Sequence, residues 1–178
     1  YMVMTYGVPL EGEIRETVDT FLTKTIRYWQ SWVKSTSVGP LFQKEVIRSS
    51  LVLKICQYED TGAIIASPTT SLPESPGSTR NWDYRYCWLR DAFFVVRALN
   101  SLSEMETMEN YLRYINNIAS MTNGDHVQPL YGIALEKTLV EDQVDLPGYR
   151  GMGPVRIGNQ AYEHFQHDVY GNIVLAAS

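Results

Sequence analysis

Five stretches of this sequence place apolar residues three and four positions apart, and that spacing constrains the fold more than any other feature. In the first, Val18, Phe21, Leu22, Ile26, Trp29 and Val33 follow Ile14 on one face, which predicts an amphipathic helix of about six turns. Leu41 to Tyr58 predicts a second, with Val46 and Leu53 near Ser49 and Ser50, small residues that let another helix approach closely. Leu89, Ala92, Phe93, Val96 and Leu99 predict a third; Met108, Tyr111, Leu112, Ile115 and Ile118 predict a fourth. Ala161, Phe165, Val169 and Ile173, with Tyr162 alongside, predict a fifth that runs toward the end of the chain.

Between these stretches lie chain-breaking signals: Gly39-Pro40, Asp60-Thr61-Gly62, Asn123-Gly124 and Pro147-Gly148. Ala63 to Ala66 reads as a short strand or a buried extended segment. Ser67 to Ser78 holds Pro68, Pro73, Pro76 and Gly77, so it cannot be helical and should form a rigid loop. Tyr131 to Asp145 is acidic and aperiodic, an irregular excursion. The alternation in Tyr1 to Gly7 predicts a short strand at the N-terminus, with residues 1–10 the tail of a preceding domain or a linker. The fold class is therefore all-α: about five helices with long loops, packed as helical hairpins side by side.

Composition narrows the partners. A chain of 178 residues with 44% hydrophobic and 20% charged residues can bury a core, and its net charge of -5 argues against nucleic acid and anionic membranes. No apolar run is long enough for a membrane span, and no basic segment followed by an apolar one marks a signal peptide. Cys56 and Cys87 sit among apolar and aromatic neighbours and are expected to be free buried thiols, which suits a cytoplasmic setting. His126, His164 and His167 lack the spacing of a metal site, although the last two are three apart on the fifth helix; they read as structural or surface residues, and no metal or cofactor is expected. The glycines at 148, 151, 153 and 158 do not follow an apolar strand, so they make a poor phosphate loop.

The densest chemistry lies in Arg80-Asn81-Trp82-Asp83-Tyr84-Arg85-Tyr86-Cys87-Trp88-Leu89-Arg90-Asp91, which holds three Arg, two Asp, two Trp and two Tyr. A hexose offers an apolar ring face to an aromatic side chain and vicinal hydroxyls to carboxylate and guanidinium groups, and this mixture fits it. The same residues would also serve a helix start with Trp82, Tyr84 and Tyr86 in the core and Arg–Asp pairs locking the loop. The third helix begins just after the motif, so Arg90 and Asp91 fall in its first turn, where Asp91 gains from the helix dipole.

This stretch, with Pro68-Thr69-Thr70-Ser71-Leu72-Pro73-Glu74 before it, resembles the signature of glycoside hydrolase family 15, the bacterial and archaeal glucoamylase, glucodextranase and trehalase-like enzymes. A second block, Gly148-Tyr149-Arg150-Gly151-Met152-Gly153-Pro154-Val155-Arg156-Ile157-Gly158-Asn159-Gln160-Ala161, resembles the same family, and the likeness runs from about Thr20 to Ser178. It implies part of an (α/α)6 barrel, two concentric rings of helices with the substrate pocket where the loops gather. Residues 11–178 would then be the N-terminal portion of the catalytic domain, with the rest beyond Ser178.

The resemblance also implies an inverting, exo-acting α-glucoside hydrolase that works with two glutamates. One carboxyl protonates the leaving oxygen and the other activates water, about 6.5–9.5 Å apart when configuration inverts. Both family glutamates lie in motifs downstream of the fifth helix, so no catalytic residue is expected in this chain. Glu74, Glu136 and Glu163 match by residue type alone. What carries over is the sugar-binding side: Arg90 and Asp91 would clamp the hydroxyls of the terminal glucose, Trp88 would supply a stacking wall, and Arg156 matches a position near the pocket. Trp82 and Asp83 complete the candidate set, although Asp83 could equally pair with Arg80 or Arg85 to order the loop; Tyr149, Arg150 and Asn159 are lesser candidates. The expected partner is a disaccharide or oligosaccharide. The isolated stretch should hydrolyse nothing and could associate into a homo-oligomer through exposed apolar faces. The rival reading is a non-catalytic α-helical binding module.

Overall fold

The computed structural model describes residues 2–122, 124 and 126–177. Among the described residues five α-helices dominate: α1 (Ile14–Ser35), α2 (Gln43–Ile55), α3 (Leu89–Asn100), α4 (Glu106–Thr122) and α5 (Asp168–Ala177). Four strands of two or three residues accompany them: β1 (Cys87–Trp88), β2 (Leu130–Tyr131), β3 (Asp142–Val144) and β4 (Val155–Ile157). They form two antiparallel pairs, β1 with β2 and β3 with β4, the first aligning Cys87 with Tyr131 and the second Gln143 with Arg156.

The core lies where α3, α4 and α5 meet the turn after α2. Leu89, Ala92 and Leu99 are fully buried along α3, and Tyr111, Tyr114 and Ile118 answer them from α4. These positions carry the three-and-four spacing of the sequence, so each helix turns one apolar stripe inward. The two tyrosines bury polar tips that would otherwise cost free energy, and both are satisfied: Tyr111 donates to the Leu89 carbonyl at 3.1 Å and Tyr114 to the Gly132 carbonyl at 2.7 Å. Burial pushes both phenols well above their ordinary range, so they remain donors. A second buried polar knot joins α2 to α4: Gln57 Oε1 accepts from Lys54 Nζ at 2.7 Å and from Thr107 Oγ1 at 3.0 Å. Cys56 and Cys87 are both free and buried, and burial pushes the Cys87 thiol up to about 12.

The turn after α2 needs glycine. Gly62 has φ +88°, and a Cβ there would collide with the Asn110 carbonyl of α4. Ala63 and Ile64 then run extended and buried, with Ile64 bridging Gln57. The proline-rich segment that follows is not helical; it folds back along the aromatic stretch. Ala66 N–H donates to the Tyr86 carbonyl, Ser67 to Tyr84, Ser71 to Trp82 and Glu74 to Arg80, all at 2.9–3.0 Å. That irregular ladder delivers Trp82–Trp88 to the N-terminus of α3.

Three expectations need correction. No strand forms in the described part of Tyr1–Gly7; Met2, Met4 and Tyr6 are fully exposed, and no neighbouring strand pairs with the segment there. Tyr1 itself, and Asn123 of the Asn123-Gly124 turn, lie outside the described residues. The excursion from Tyr131 to Asp145 is not irregular throughout, because Tyr131 belongs to β2 and Asp142–Val144 to β3. The fifth helix does not run from Ala161 to Ile173. A 3-10 turn covers Gln160–Glu163, the chain becomes extended at His164 with ψ 146°, and α5 starts only at Asp168. His164 and His167 are therefore not on a helix. The physical reason is local competition: the Asn159 side chain caps the short turn through Ala161 N–H at 3.1 Å, and His164 N–H closes it on the Ala161 carbonyl. Phe165 consequently packs against His126, His167 and Tyr170 at the surface, and Val169 takes the core position.

Candidate functional site

The ladder and the β3–β4 pair converge on Asp83. Its side chain is fully buried, and its carboxylate is held by four donors: Arg85 N–H at 3.2 Å, Arg85 Nε at 2.9 Å, Arg85 Nη2 at 2.8 Å and Gly158 N–H at 3.2 Å. A buried carboxylate demands such a set. Its backbone carbonyl accepts from Asn159 Nδ2 at 3.0 Å, so the second sequence block is tied directly to the first. Gly158, with φ +85°, also lies tight against the chain entering β3, where a Cβ would strike the Val140 carbonyl. Of the two arginines considered for Asp83, Arg85 is the partner; Arg80 pairs with Glu74 through Nε at 2.8 Å.

Around this hub opens a cavity of about 550 Å³. Trp82, Tyr84 and Trp88 supply aromatic wall, Arg90 and Glu141 supply charge, and Asn159, Gln160, His164 and Gln166 supply neutral polar groups. Trp82 is fixed on two sides. Its Nε1 donates to Glu74 Oε1 at 3.2 Å, and the Arg156 guanidinium lies over its ring at 4.8 Å. Arg156 is in turn ion-paired with Glu141, and its backbone is pinned by Ser71 Oγ, which accepts from its N–H at 2.8 Å, and by Thr70 Oγ1, which donates to its carbonyl at 2.7 Å. The hydrogen bond from Arg80 holds the Glu74 carboxyl below the ordinary carboxylate range, so it remains an acceptor for Trp82. Burial, followed by the charge of Glu74 and a hydrogen bond to it, pushes the Tyr84 phenol up.

Of the candidate residues, the fold brings Trp82, Trp88, Arg90 and the lesser candidate Asn159 to this cavity, with Arg156 over the Trp82 ring. Asp91 lies beside Arg90, Oδ2 to Nε 3.7 Å, but outside the cavity lining. Asp83 sits beneath it, engaged by protein donors. Tyr149 and Arg150 stack on each other away from it, the guanidinium 5.3 Å from the ring centroid. Two buried donors, Trp88 Nε1 and Arg156 Nε, have no hydrogen-bond partner among the described residues.

The sequence profile of the glycosyl hydrolases family 15 matches residues 41–178. The chain belongs to glycoside hydrolase family 15. Its helices are accordingly part of the all-α (α/α)6 barrel of that family. Curated relatives agree: a trehalase of Thermoplasma acidophilum is 40% identical over 155 residues, covering 87% of this chain and 26% of the relative. A trehalase of Mycolicibacterium smegmatis is 39% identical over 158 residues, covering 85% of this chain and 23% of its own. Trehalase 1 of Sulfolobus acidocaldarius is 32% identical across 98% of this chain and 30% of its own. The chain thus spans about a quarter of the length of the curated relatives it matches. No solved structure matches it. Among the described residues no helix is long and apolar enough to cross a membrane.

Sequence reasoning missed Glu141, Gln160, Gln166 and the cavity-facing place of His164. Glu141 arrives from the aperiodic start of the β3–β4 pair, and residues 160–166 from the stretch whose apolar spacing predicts helix but which folds as a 3-10 turn and an extended segment. The available signal was the density of polar residues around Phe165, namely His164, Gln166, His167 and Asp168, two of which line the cavity.

Proposed function

We propose that this chain is the sugar-holding part of an exo-acting α-glucoside hydrolase that inverts configuration, with trehalose or a short maltooligosaccharide as substrate. The observation that carries the reading is the composition of the 550 Å³ cavity, whose two indoles, phenol and guanidinium suit one pyranose ring. A ring stacked on Trp88 or Trp82 would present hydroxyls to Arg90, with Asp91 beside it. Binding energy gathered there would fix the scissile oxygen at a set distance from the terminal ring and so make attack exo. Asp83 takes an organising role in this reading, because its oxygens are committed to Arg85 and Gly158.

Trehalose is preferred because the relatives bear the name trehalase. Glu141, the glutamate lining the cavity, is engaged by Arg156, which suits it to holding the wall. We assign the proton donor and the water-activating carboxylate to parts of the barrel outside this stretch, and residues 11–178 to the N-terminal portion of the catalytic domain. The two free buried thiols favour a reducing compartment such as the cytoplasm.

The test is glucose release from trehalose, maltose, maltotriose and isomaltose by the full-length protein and by its Arg90→Ala and Asp91→Ala variants. The expected result is release from at least one of these, with kcat/KM lowered about a hundredfold in each variant through loss of a charge-assisted hydrogen bond. Full-length protein inactive on all four, or variants indistinguishable from it, would end this reading.

A further inference from the structure

Arg90 is held from a part of the chain that the motif does not include. Its Nη1 donates to Asp168 Oδ2 at 3.1 Å and to Gln166 Oε1 at 3.3 Å, while its Cζ lies 5.7 Å from the Trp88 ring centroid. On the other side Nε faces Asp91 Oδ2 at 3.7 Å. The guanidinium is thus bracketed between two carboxylates above an indole, at the edge of the cavity it lines. Asp168 is the first residue of α5, and the next residue, Val169, is 1% exposed and seated in the core, so the carboxylate stands on a fixed base.

We propose that Asp168 is a positioning residue for the sugar-clamping arginine: by holding Nη1 it sets the plane of the Arg90 guanidinium at the cavity wall. This rests on the reading of the cavity as a sugar site. The side chains of Arg90 and Asp168 are 44% and 42% exposed, and an ion pair that open to water contributes little to stability. Its consequence is geometric. An arginine has many rotamers, and a half-exposed one that had to be ordered by the ligand would weaken binding by the entropy of that ordering. Fixing one amine before the sugar arrives removes that cost, and the planar fork then directs its remaining donors as a unit. Gln166 shares the same amine and lines the same cavity, so the segment between the 3-10 turn and α5 carries the support.

The competing account is that Asp168 serves α5 alone, as an acidic residue in its first turn. A double-mutant cycle in the full-length protein separates the two, reading KM and kcat on the preferred disaccharide together with Tm for Asp168→Ala, Asp168→Asn, Arg90→Ala and the Arg90→Ala/Asp168→Ala double variant. The expected result is a KM raised about tenfold by Asp168→Ala with kcat nearly kept, a rise of about threefold or less for Asp168→Asn, which retains an oxygen for Nη1, and less than about twofold further change when Asp168→Ala is added to Arg90→Ala. An unchanged KM in Asp168→Ala while Arg90→Ala raises it overturns this inference and leaves the sugar-site reading standing. Additive effects in the double variant overturn it too, since Asp168 would then act independently of Arg90. No effect of Arg90→Ala removes both. If Asp168→Ala does not fold, Asp168→Ser, which keeps a good helix-start residue but is too short to hold Nη1, takes its place in the wild-type and Arg90→Ala backgrounds with the same expected and overturning results.

Discussion

Helices α1 and α3 make an instructive pair. Both carry an apolar stripe at helical spacing, and both form where that spacing predicts, Ile14–Ser35 and Leu89–Asn100. Their burial is opposite. In α3 the stripe is spent on the core, with Leu89, Ala92 and Leu99 fully buried. In α1 Phe21 is 61% and Leu22 56% exposed, and Trp32 is the residue of that helix which becomes buried. The lesson is that amphipathicity specifies a helix and the direction in which it would bury itself; whether another element covers that face is decided elsewhere. α1 is attached near its C-terminal end, through Trp32 Nε1 to Glu104 Oε1 at 3.4 Å and Ser37 N–H to the Leu102 carbonyl at 2.7 Å.

Substitutions along the two stripes test that contrast, and the largest effect should come from α3. Leu99→Ala removes a fully buried side chain and should cost about 3 kcal/mol in chemical denaturation. A loss below about 1 kcal/mol would mean that this core is loosely packed. Next, Trp32→Phe removes one ring of a buried indole together with its donor to Glu104, so about 2 kcal/mol is expected. Amide exchange should report the change in α1 more than in α4. For Phe21→Ala the expected change is below about 0.5 kcal/mol, since the side chain is already largely in water. A cost near that of Leu99→Ala would break the comparison outright and show α1 covered in solution.

The smallest effect concerns the loop that carries Trp82. Glu74 has a folded pKa depressed chiefly by the Arg80 hydrogen bond, so its contribution is present above the ordinary carboxylate range and is lost as pH falls through the depressed value. Indole fluorescence should therefore change at more acid pH than a free carboxylate would give, and Glu74→Gln should abolish that step. A step at the ordinary carboxylate pH would show that the Arg80–Glu74–Trp82 contact does not persist in water.

The four helices α1 to α4 were legible because their signal is local: residues three and four apart share a face whatever surrounds them. α5 was placed too early for a related reason. Ala161 and Phe165 fit the periodic pattern, yet the Asn159 cap and the extended geometry at His164 shift the helix start to Asp168, and periodicity contains no term for that competition. Trp82, Trp88 and Arg90 could be nominated from the sequence because aromatic, guanidinium and carboxylate groups were crowded into one short stretch, and their resemblance to a family motif gave them an order.

Sequence alone thus determined the helical class, the turn points and the residue types at the pocket wall. Tertiary structure decided which apolar face was covered and which distant side chains completed the site. Asp83 meets Gly158 and Asn159, Trp82 meets Arg156, and Arg90 meets Gln166 and Asp168, each across about seventy or more positions of chain. Contacts at that separation depend on how loops close and helices dock, a long-range balance of chain entropy against burial that no local pattern encodes.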